Sequence, residues 1–303
     1  MRIVMTGSSG LIGSTLVPAL RGDGHQVTAL VRRPPRAGDE IRWDPAAGRL
    51  DAAALAGTEA AIHLAGAGIG DHRWTASYRR ELRESRIRGT DLLARTLAEL
   101  TPPPRVLLSG SALGWYGTRA GGDAGPVDEP APAGTGFIAD LVAGWEAATA
   151  PARDAGLRVC TLRTGVVLST RGGVLRRQLP LFRVGLGGRL GSGRQWLSWI
   201  SLRDQVDAIR FLLTAESVRG PVNLVAPAPV TNARFTAALA AALHRPALAP
   251  VPRLALRAAL GGFADEVALA SQRIAPAVLT GAGFPFTHPD LDQALRAILA
   301  ARS

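Results

Sequence analysis

Residues 2–13 read Arg2-Ile3-Val4-Met5-Thr6-Gly7-Ser8-Ser9-Gly10-Leu11-Ile12-Gly13, and the reading of the fold starts from them. A short β-branched run, Ile3 and Val4, enters a turn whose glycines, Gly7, Gly10 and Gly13, fall three apart. Leu11 and Ile12 start an apolar helix inside that turn. One glycine permits the tight strand-to-helix turn, one lets a diphosphate approach the backbone, and one lets the helix pack close to the strand. The helix N-terminus then offers unpaired N–H groups and a partial positive charge to the phosphates. Glycine-rich turns are common, so the motif needs its context, and here a further strand, Gln26–Val31, follows the helix. The candidate cofactor-binding residues of this turn are Gly7, Ser9, Gly10, Leu11, Ile12 and Gly13. A structural turn without a ligand is the alternative.

Outward from that turn, short apolar strands alternate with amphipathic segments. Strands are expected at Ile3–Thr6, Val27–Val31, Ala60–Leu64, Val106–Ser109, Leu157–Leu162 and Val222–Val225. Helices are expected at Leu11–Leu20, Trp74–Leu100, Phe137–Ala155 and Asp204–Leu213. This alternation is the α/β pattern of a doubly wound parallel sheet, whose crossovers are right-handed. A loop rich in Gly and Pro, Gly117–Gly136, is long enough to be functional rather than a connector. A second glycine-rich segment, Gly185–Gly193, precedes Trp196 and Trp199. The texture changes near Thr231, where Ala-rich helical stretches (Ala233–Leu243, Leu254–Gly261) are interrupted by Pro246, Pro250 and Pro252. Leu291–Leu299 forms a last amphipathic helix. The expected organisation is therefore a nucleotide-binding domain over 1–230, with parts of 165–200 contributing to the substrate side. A smaller, mainly helical C-terminal lobe over 231–303 would pack on the carboxyl edge of the sheet. There is no internal repeat and no low-complexity tail.

Hydrophobic residues make up 47% and charged residues 19% of the 303, which suits a globular protein with a substantial core. No apolar run reaches the length of a membrane span, and the N-terminus starts directly in the first strand, so the expected location is the cytoplasm. The formal net charge of +11 raises nucleic acid or an anionic membrane as partners. The arginines are scattered along the chain, and aromatics form only 5% of it, with no aromatic platform alternating with basic residues. Neither nucleic acid nor a membrane is expected as a partner; a small-molecule substrate is, and the sequence leaves the oligomeric state open. All 35 residues counted as Lys plus Arg are arginines. Cys160, the one cysteine, reads as a small core residue. His25, His63, His72, His244 and His288 are dispersed, and no metal constellation is present.

A sheet that binds NAD usually carries Asp or Glu after its second strand, to hold the ribose 2′-hydroxyl. Here the strand ends in Arg32-Arg33-Pro34, and the first acids beyond are Asp39 and Glu40. Two guanidinium groups favour a 2′-phosphate through charge-assisted contacts, so NADP is the expected cofactor. The turn Leu64-Ala65-Gly66, after another strand, lets backbone lie against the nucleotide. His63, within that strand, reads as a core histidine rather than a catalytic one.

Together these segments and Ser109–Gly117 resemble the extended short-chain dehydrogenase/reductase superfamily. Trp43-Asp44-Pro45, Arg73-Trp74, Ser85-Arg86, Arg163-Thr164-Gly165, Gly187–Gln195 and the Trp199-Ile200 pair followed by Asp204 narrow the likeness. With Gly283–Phe286, they resemble an atypical bacterial group of sugar-nucleotide epimerases. The resemblance implies an NADP-binding Rossmann domain with a small substrate-side lobe.

Members of that superfamily use Tyr-x-x-x-Lys on the helix after the long loop, with a Ser or Thr on the preceding strand. The tyrosine is the acid/base, and the lysine lowers its pKa while holding the ribose. The corresponding stretch here is Phe137–Val142, without tyrosine or lysine. A chain that contains no lysine cannot hold that pair anywhere. Ser111, at the position resembling the superfamily's serine, and Tyr116 remain as catalytic candidates. An unperturbed phenol titrates near pH 10, so Tyr116 would need a cationic neighbour such as Arg163; otherwise it is a loop aromatic packed under the long loop. Arg194, Gln195 and Trp199 form a second cluster, with Arg194 and Trp199 suited to a phosphate or carboxylate beside a ring. A salt-bridged loop with a buried tryptophan is the alternative. Asp128 and Glu129 are expected to face solvent. Two functions fit: an NADP-dependent oxidoreductase or nucleotide-sugar epimerase with an altered acid/base, or a catalytically silent NADP-binding sensor or scaffold.

Overall fold

The computed structural model describes residues 1–122 and 125–301; Asp123 and Ala124 of the long loop, and Arg302 and Ser303 of the expected C-terminal lobe, lie outside the described residues. Seven strands form one parallel sheet: β1 (Arg2–Thr6), β2 (Gln26–Val31), β3 (Glu40–Arg42), β4 (Ala60–His63), β5 (Val106–Ala112), β6 (Arg158–Thr164) and β7 (Gly220–Leu224). Their order is β7-β6-β5-β4-β1-β2-β3. The order reverses at β1, whose neighbours are β2 on one side and β4 on the other, and such a switch point is where open α/β sheets bind ligands. The register sets Thr6 opposite Leu30 of β2 and His63 of β4. The turns after β1 and β4 therefore leave the sheet side by side.

The apolar runs that announced the inner strands are almost wholly buried, as a sheet covered on both faces requires, while β2 buries only Val27 and Leu30 fully. Leu93, Ala94 and Leu97 of helix α2 (Ala76–Ala98) pack with Val4, Ala61 and Leu107 of the sheet. Helix α1 (Gly13–Gly22) buries Gly13, Leu16 and Leu20 at helical spacing. The single helix expected over Phe137–Ala155 is two, α3 (Phe137–Ala147) and α4 (Ala150–Asp154). Pro151 has no N–H for a continuing ladder, and is tolerated in the first turn of a new helix. Among the elements not foreseen are the three-residue edge strand β3 and helix α5 (Gly173–Arg183), which contains Pro180. Helix α6 spans Leu202–Thr214. From Asn232 onward the structure is mainly helical, with α7 (Asn232–Leu243), α8 (Arg253–Leu260), α9 (Ala277–Gly281) and α10 (Leu291–Ala300).

Cα packing groups the chain into two compact units that interleave along the sequence. The first comprises Met1–Ser111, Leu141–Leu162 and Ile209–Val222. The second comprises Ala112–Asp140, Arg163–Ala208 and the chain from Asn223. The second unit has its own core, in which Leu175, Leu179 and Phe182 of α5 meet Trp199, Phe235, Leu239, Leu291 and Leu295. Among the described residues, no helix is long and apolar enough to cross a membrane.

Candidate functional site: two turns at the sheet's switch point

In the first unit, the turn after β1 is built as the glycine spacing requires. Gly7 has φ +71°, and a Cβ on it would lie 2.7 Å from the Leu64 carbonyl carbon. A Cβ on Gly13 would lie 2.2 Å from the Gly7 oxygen, so only glycine lets α1 start this close. Gly10 is different: its nearest obstacle is the Gly7 oxygen at 3.3 Å, which leaves the space outside the turn open. The Gly10 N–H donates to Gly7 O at 3.1 Å and closes the turn. Ser9 and Gly10 are exposed, and Leu11 and Ile12 half-buried. Ile12 precedes α1 without a side-chain cap, and no acid stands in the first turn. The first N–H groups of the helix thus have no carboxylate competing for them.

The second turn, Leu64-Ala65-Gly66, is held from both sides. Thr6 Oγ1 accepts from the Leu64 and Ala65 N–H groups, both at 3.1 Å, and sits 2.7 Å from His63 Nδ1. From α2, Ser85 Oγ accepts from the Ala67 N–H at 3.2 Å, and Arg86 Nη2 donates to Ala67 O at 3.0 Å. Arg86 is buried, lies 5.1 Å from the Trp145 ring, and has its pKa pulled down to about 10 by burial, so it stays charged at neutral pH. His63 is fully buried, edge-on to Trp43, and burial pushes its pKa down to about 4. It is a neutral core histidine.

The two arginines after β2 have different surroundings. Arg33 forms a bidentate pair with Glu40, at 2.8 Å and 2.6 Å. That pair, helped by the Arg36 N–H, holds Glu40 down to about 2. Arg33 is therefore engaged in neutralising Glu40 rather than free to meet a phosphate. Arg32 is exposed and has no hydrogen bond or ion pair among the described residues.

At the end of β5, Ser111 Oγ donates to Glu146 Oε1 of α3 at 2.6 Å, a short charge-assisted bond. Glu146 went unread in the sequence, because nothing along the chain signals a partner 35 residues away. Trp145, its neighbour, packs over Gly110: a Cβ there would meet the indole at 3.0 Å. In the stretch that resembles the missing Tyr-x-x-x-Lys, Ile138 and Val142 are buried.

In the second unit, three expectations change. Tyr116 is buried, its hydroxyl donates to Asn223 Oδ1 at 2.8 Å and accepts from Arg163 Nη1 at 3.1 Å. Burial pushes its pKa up despite the arginine. Both hydrogen-bonding directions are filled and the phenolate is disfavoured, so Tyr116 is a packing residue and not an acid/base. Trp199 is fully buried in the second core, its indole N–H bonded to Ala228 O at 3.0 Å, and offers no face to a substrate. Glu129 is buried rather than solvent-facing, because its Oε1 takes the Asn223 N–H at 2.9 Å while its backbone oxygen accepts from Arg163. Burial raises its pKa, and Oε2 has no partner among the described residues.

A cavity of about 550 Å³ opens in the second unit. Thr118, Thr135, Ser192 and Ser271 bring hydroxyls to it, Gln195 an amide and Arg119 a guanidinium with no ion pair among the described residues. Asp265 on its wall is paired with Arg253 and Arg257. Arg194 lies between the lining residues Ser192 and Gln195, exposed and with no side-chain partner among the described residues. Cys160 is buried and its thiol pushed up to about 11 by burial, so it is not a nucleophile. Among the described residues no cluster of His, Cys, Asp and Glu could hold a metal ion.

A parallel sheet in this order, with a glycine turn at its switch point, defines a Rossmann-type dinucleotide-binding protein. Residues 3–225 match the NAD dependent epimerase/dehydratase family, and 251–298 match a domain of unknown function. An epimerase family protein of Mycobacterium bovis is 47% identical, covering 97% of this chain and 96% of its own. The crystal structure of the human epimerase family protein SDR39U1 with NADPH superposes with TM-score 0.89 at 32% identity, covering 100% of both chains. That of a nucleoside-diphosphate sugar epimerase from Corynebacterium glutamicum gives 0.80 at 36% identity, over 99% of this chain and 58% of the other. The chain belongs to the NAD dependent epimerase/dehydratase family, as an atypical extended short-chain dehydrogenase/reductase.

Proposed function

We propose that the chain is an NADP-dependent oxidoreductase or nucleotide-sugar epimerase for a small sugar-like or phosphorylated substrate, with Ser111 and Glu146 as its acid–base pair. The observation that carries this reading is the 2.6 Å bond from Ser111 Oγ to Glu146 Oε1 at the end of β5. NADP fits the residues present: Gly7 and Gly13 let the turn close against Leu64 and Gly7 O, Gly10 leaves the space outside the turn open, and Arg32 is a guanidinium without a partner among the described residues. The cofactor, when bound, supplies the hydride acceptor or donor. As a substrate hydroxyl is oxidised, its proton passes to Ser111 Oγ while the serine proton moves to Glu146 Oε1; reduction runs the same path backwards. The second unit's cavity, rich in hydroxyls and with Arg119 in no ion pair among the described residues, suits a polyhydroxylated anion, with Arg194 as a further anion contact. The reading involves no nucleic acid and places the protein in the cytoplasm.

NADPH absorbance followed against sugars and carbonyl compounds tests it. Ser111→Ala and Glu146→Gln should each lower turnover by about 100-fold or more while NADPH affinity stays within error. Arg32→Glu should weaken NADPH far more than NADH; an equal loss for both would sink the 2′-phosphate contact. The second reading, a silent NADP-binding sensor, is favoured by one observation: Ile138 and Val142 are buried where an acid/base pair would stand. Tight NADPH binding with no turnover on any substrate of the panel would decide for it.

A further inference from the structure

Helix α5 presents two apolar faces. Leu175, Leu179 and Phe182 enter the second core, while Val174, Leu181 and Val184, spaced seven and three apart, form a stripe on the opposite side. These three are 44%, 54% and 68% exposed. The chain that follows extends the stripe. Leu186 (62% exposed) forms an antiparallel bridge with Ala247, which sets it beside Leu248 (84% exposed). Leu190 bridges Val251, and Leu254 (75% exposed) opens α8 just beyond. These are the large hydrophobic side chains exposed among the described residues, and all belong to the second unit. Single exposed leucines need no explanation, but a contiguous set does.

The rim of this patch is cationic. No acid occurs between Asp154 and Asp204, nor between Glu216 and Asp265. Among the described residues, Arg183 and Arg189 have no side-chain partner, the Arg176 side chain bonds only the Arg171 carbonyl, and that of Arg245 only the Arg183 carbonyl. Among the acids of the second unit that follow these stretches, Asp265 is paired with Arg253 and Arg257, Glu266 accepts the Ile138 N–H, and Asp292 is paired with Arg234. Arginines scattered in sequence are thus gathered by the fold around exposed aliphatic side chains.

We propose that this face docks on an anionic phospholipid bilayer, with Leu181, Val184, Leu186 and Leu248 entering the headgroup boundary and the arginines meeting lipid phosphates. Apolar side chains ringed by guanidinium groups are what an interfacial helix presents to such a surface. A second copy of the chain is a poor occupant, because a two-fold contact would press one cationic rim against another. Nucleic acid would leave the leucines against a phosphate backbone, with no aromatic ring to stack. The inference reverses the composition-based expectation of no membrane partner, and it concerns a surface contact, not a span.

Flotation of the full chain with large unilamellar vesicles tests it, using phosphatidylcholine alone and phosphatidylcholine mixed with phosphatidylglycerol, in low and high salt. Binding to the mixed vesicles only, weakened by salt, is the expected result. The double variant L186D/L248D should lose about tenfold or more in partitioning, and Arg183→Gln and Arg245→Gln about fivefold each. All should keep wild-type NADPH affinity, which shows that they fold. No flotation with either vesicle would overturn the proposal. So would flotation that the leucine variants leave unchanged, or a dimer in light scattering that L186D/L248D dissociates.

Discussion

One hydroxyl, Thr6 Oγ1, touches three groups at the switch point: the Leu64 and Ala65 N–H groups and His63 Nδ1. The two backbone donors fill its acceptor sites, so its own proton faces Nδ1 and the imidazole carries its proton on Nε2. Nε2 has no partner among the described residues. A buried imidazole of this kind resists a charge, which is why its pKa falls from 6.5 to about 4. Between those values the unfolded chain binds a proton that the folded one refuses, so stability decreases as pH drops from about 6.5 towards 4. The residue's share of that loss is up to about 3 kcal/mol. His63→Gln should therefore lose less stability than the wild type between pH 7 and pH 4.5, read as denaturation midpoints at each pH. Parallel losses would show that His63 does not titrate in this window. The core role of His63 was legible, since it sits within an apolar strand. That of Thr6 was not, because its partners lie 57 to 59 residues away and threonine in a strand announces nothing. Arg33 misled for the same reason: its engagement with Glu40 depends on β3, a strand too short and too charged to recognise.

Helices α2 and α3 supply what the loops of the site cannot hold by themselves. Ser85 and Arg86, one turn of α2, grip the Ala67 peptide from both its N–H and its oxygen. Further back in the same helix, Tyr78 bonds Gly68 O, and Trp74 just before it bonds Ile69 O at 2.8 Å. The segment from Ala67 to Ile69 is therefore fastened residue by residue to the helix that follows it. Arg86→Met keeps the aliphatic packing but leaves Ala67 O and Leu82 O without the guanidinium. It should cost about 1–3 kcal/mol in denaturant titrations and weaken NADPH binding, because the second turn loses a clamp. Unchanged stability would mean that water replaces the guanidinium without loss. The existence of α1 and α2, and of the sheet's inner strands, was readable from sustained periodicity and apolar runs. Their ends were readable only within a few residues. Helix α5 escaped notice because Pro180 and flanking glycines mimic a loop, and the pairing of Ser111 with Glu146 waited on α3 being placed against β5.

Across the whole molecule, charge and chain order both look different folded than written. The net charge of +11 appears as scattered arginines along the sequence, yet α5, the segment after it and Arg245 all lie in stretches, 155–203 and 217–264, that contain no acid. Likewise, the change of texture near Thr231 marks where mainly helical structure begins, but Cα packing does not divide the chain there. Leu168, Leu175, Leu179, Phe182 and Trp199 share one core with Phe235, Ala238, Leu239, Leu291, Ala294 and Leu295. Each large apolar side chain in such a core is worth about 1.5–3 kcal/mol, while a whole domain is stable by only about 5–15 kcal/mol. A fragment ending at Val230 loses six members of this cluster at once, four of them large, a loss of about 6–12 kcal/mol that is comparable with that whole margin. Trp199 is its reporter, being fully buried in the complete chain. The emission that Trp199 contributes, taken as the difference between each protein and its Trp199→Phe variant, should be blue-shifted in the full chain and water-like in the fragment. A fragment that keeps the blue-shifted signal would mean that α5 and its surroundings fold without α7 and α10, and that the second unit's core does not need its C-terminal members.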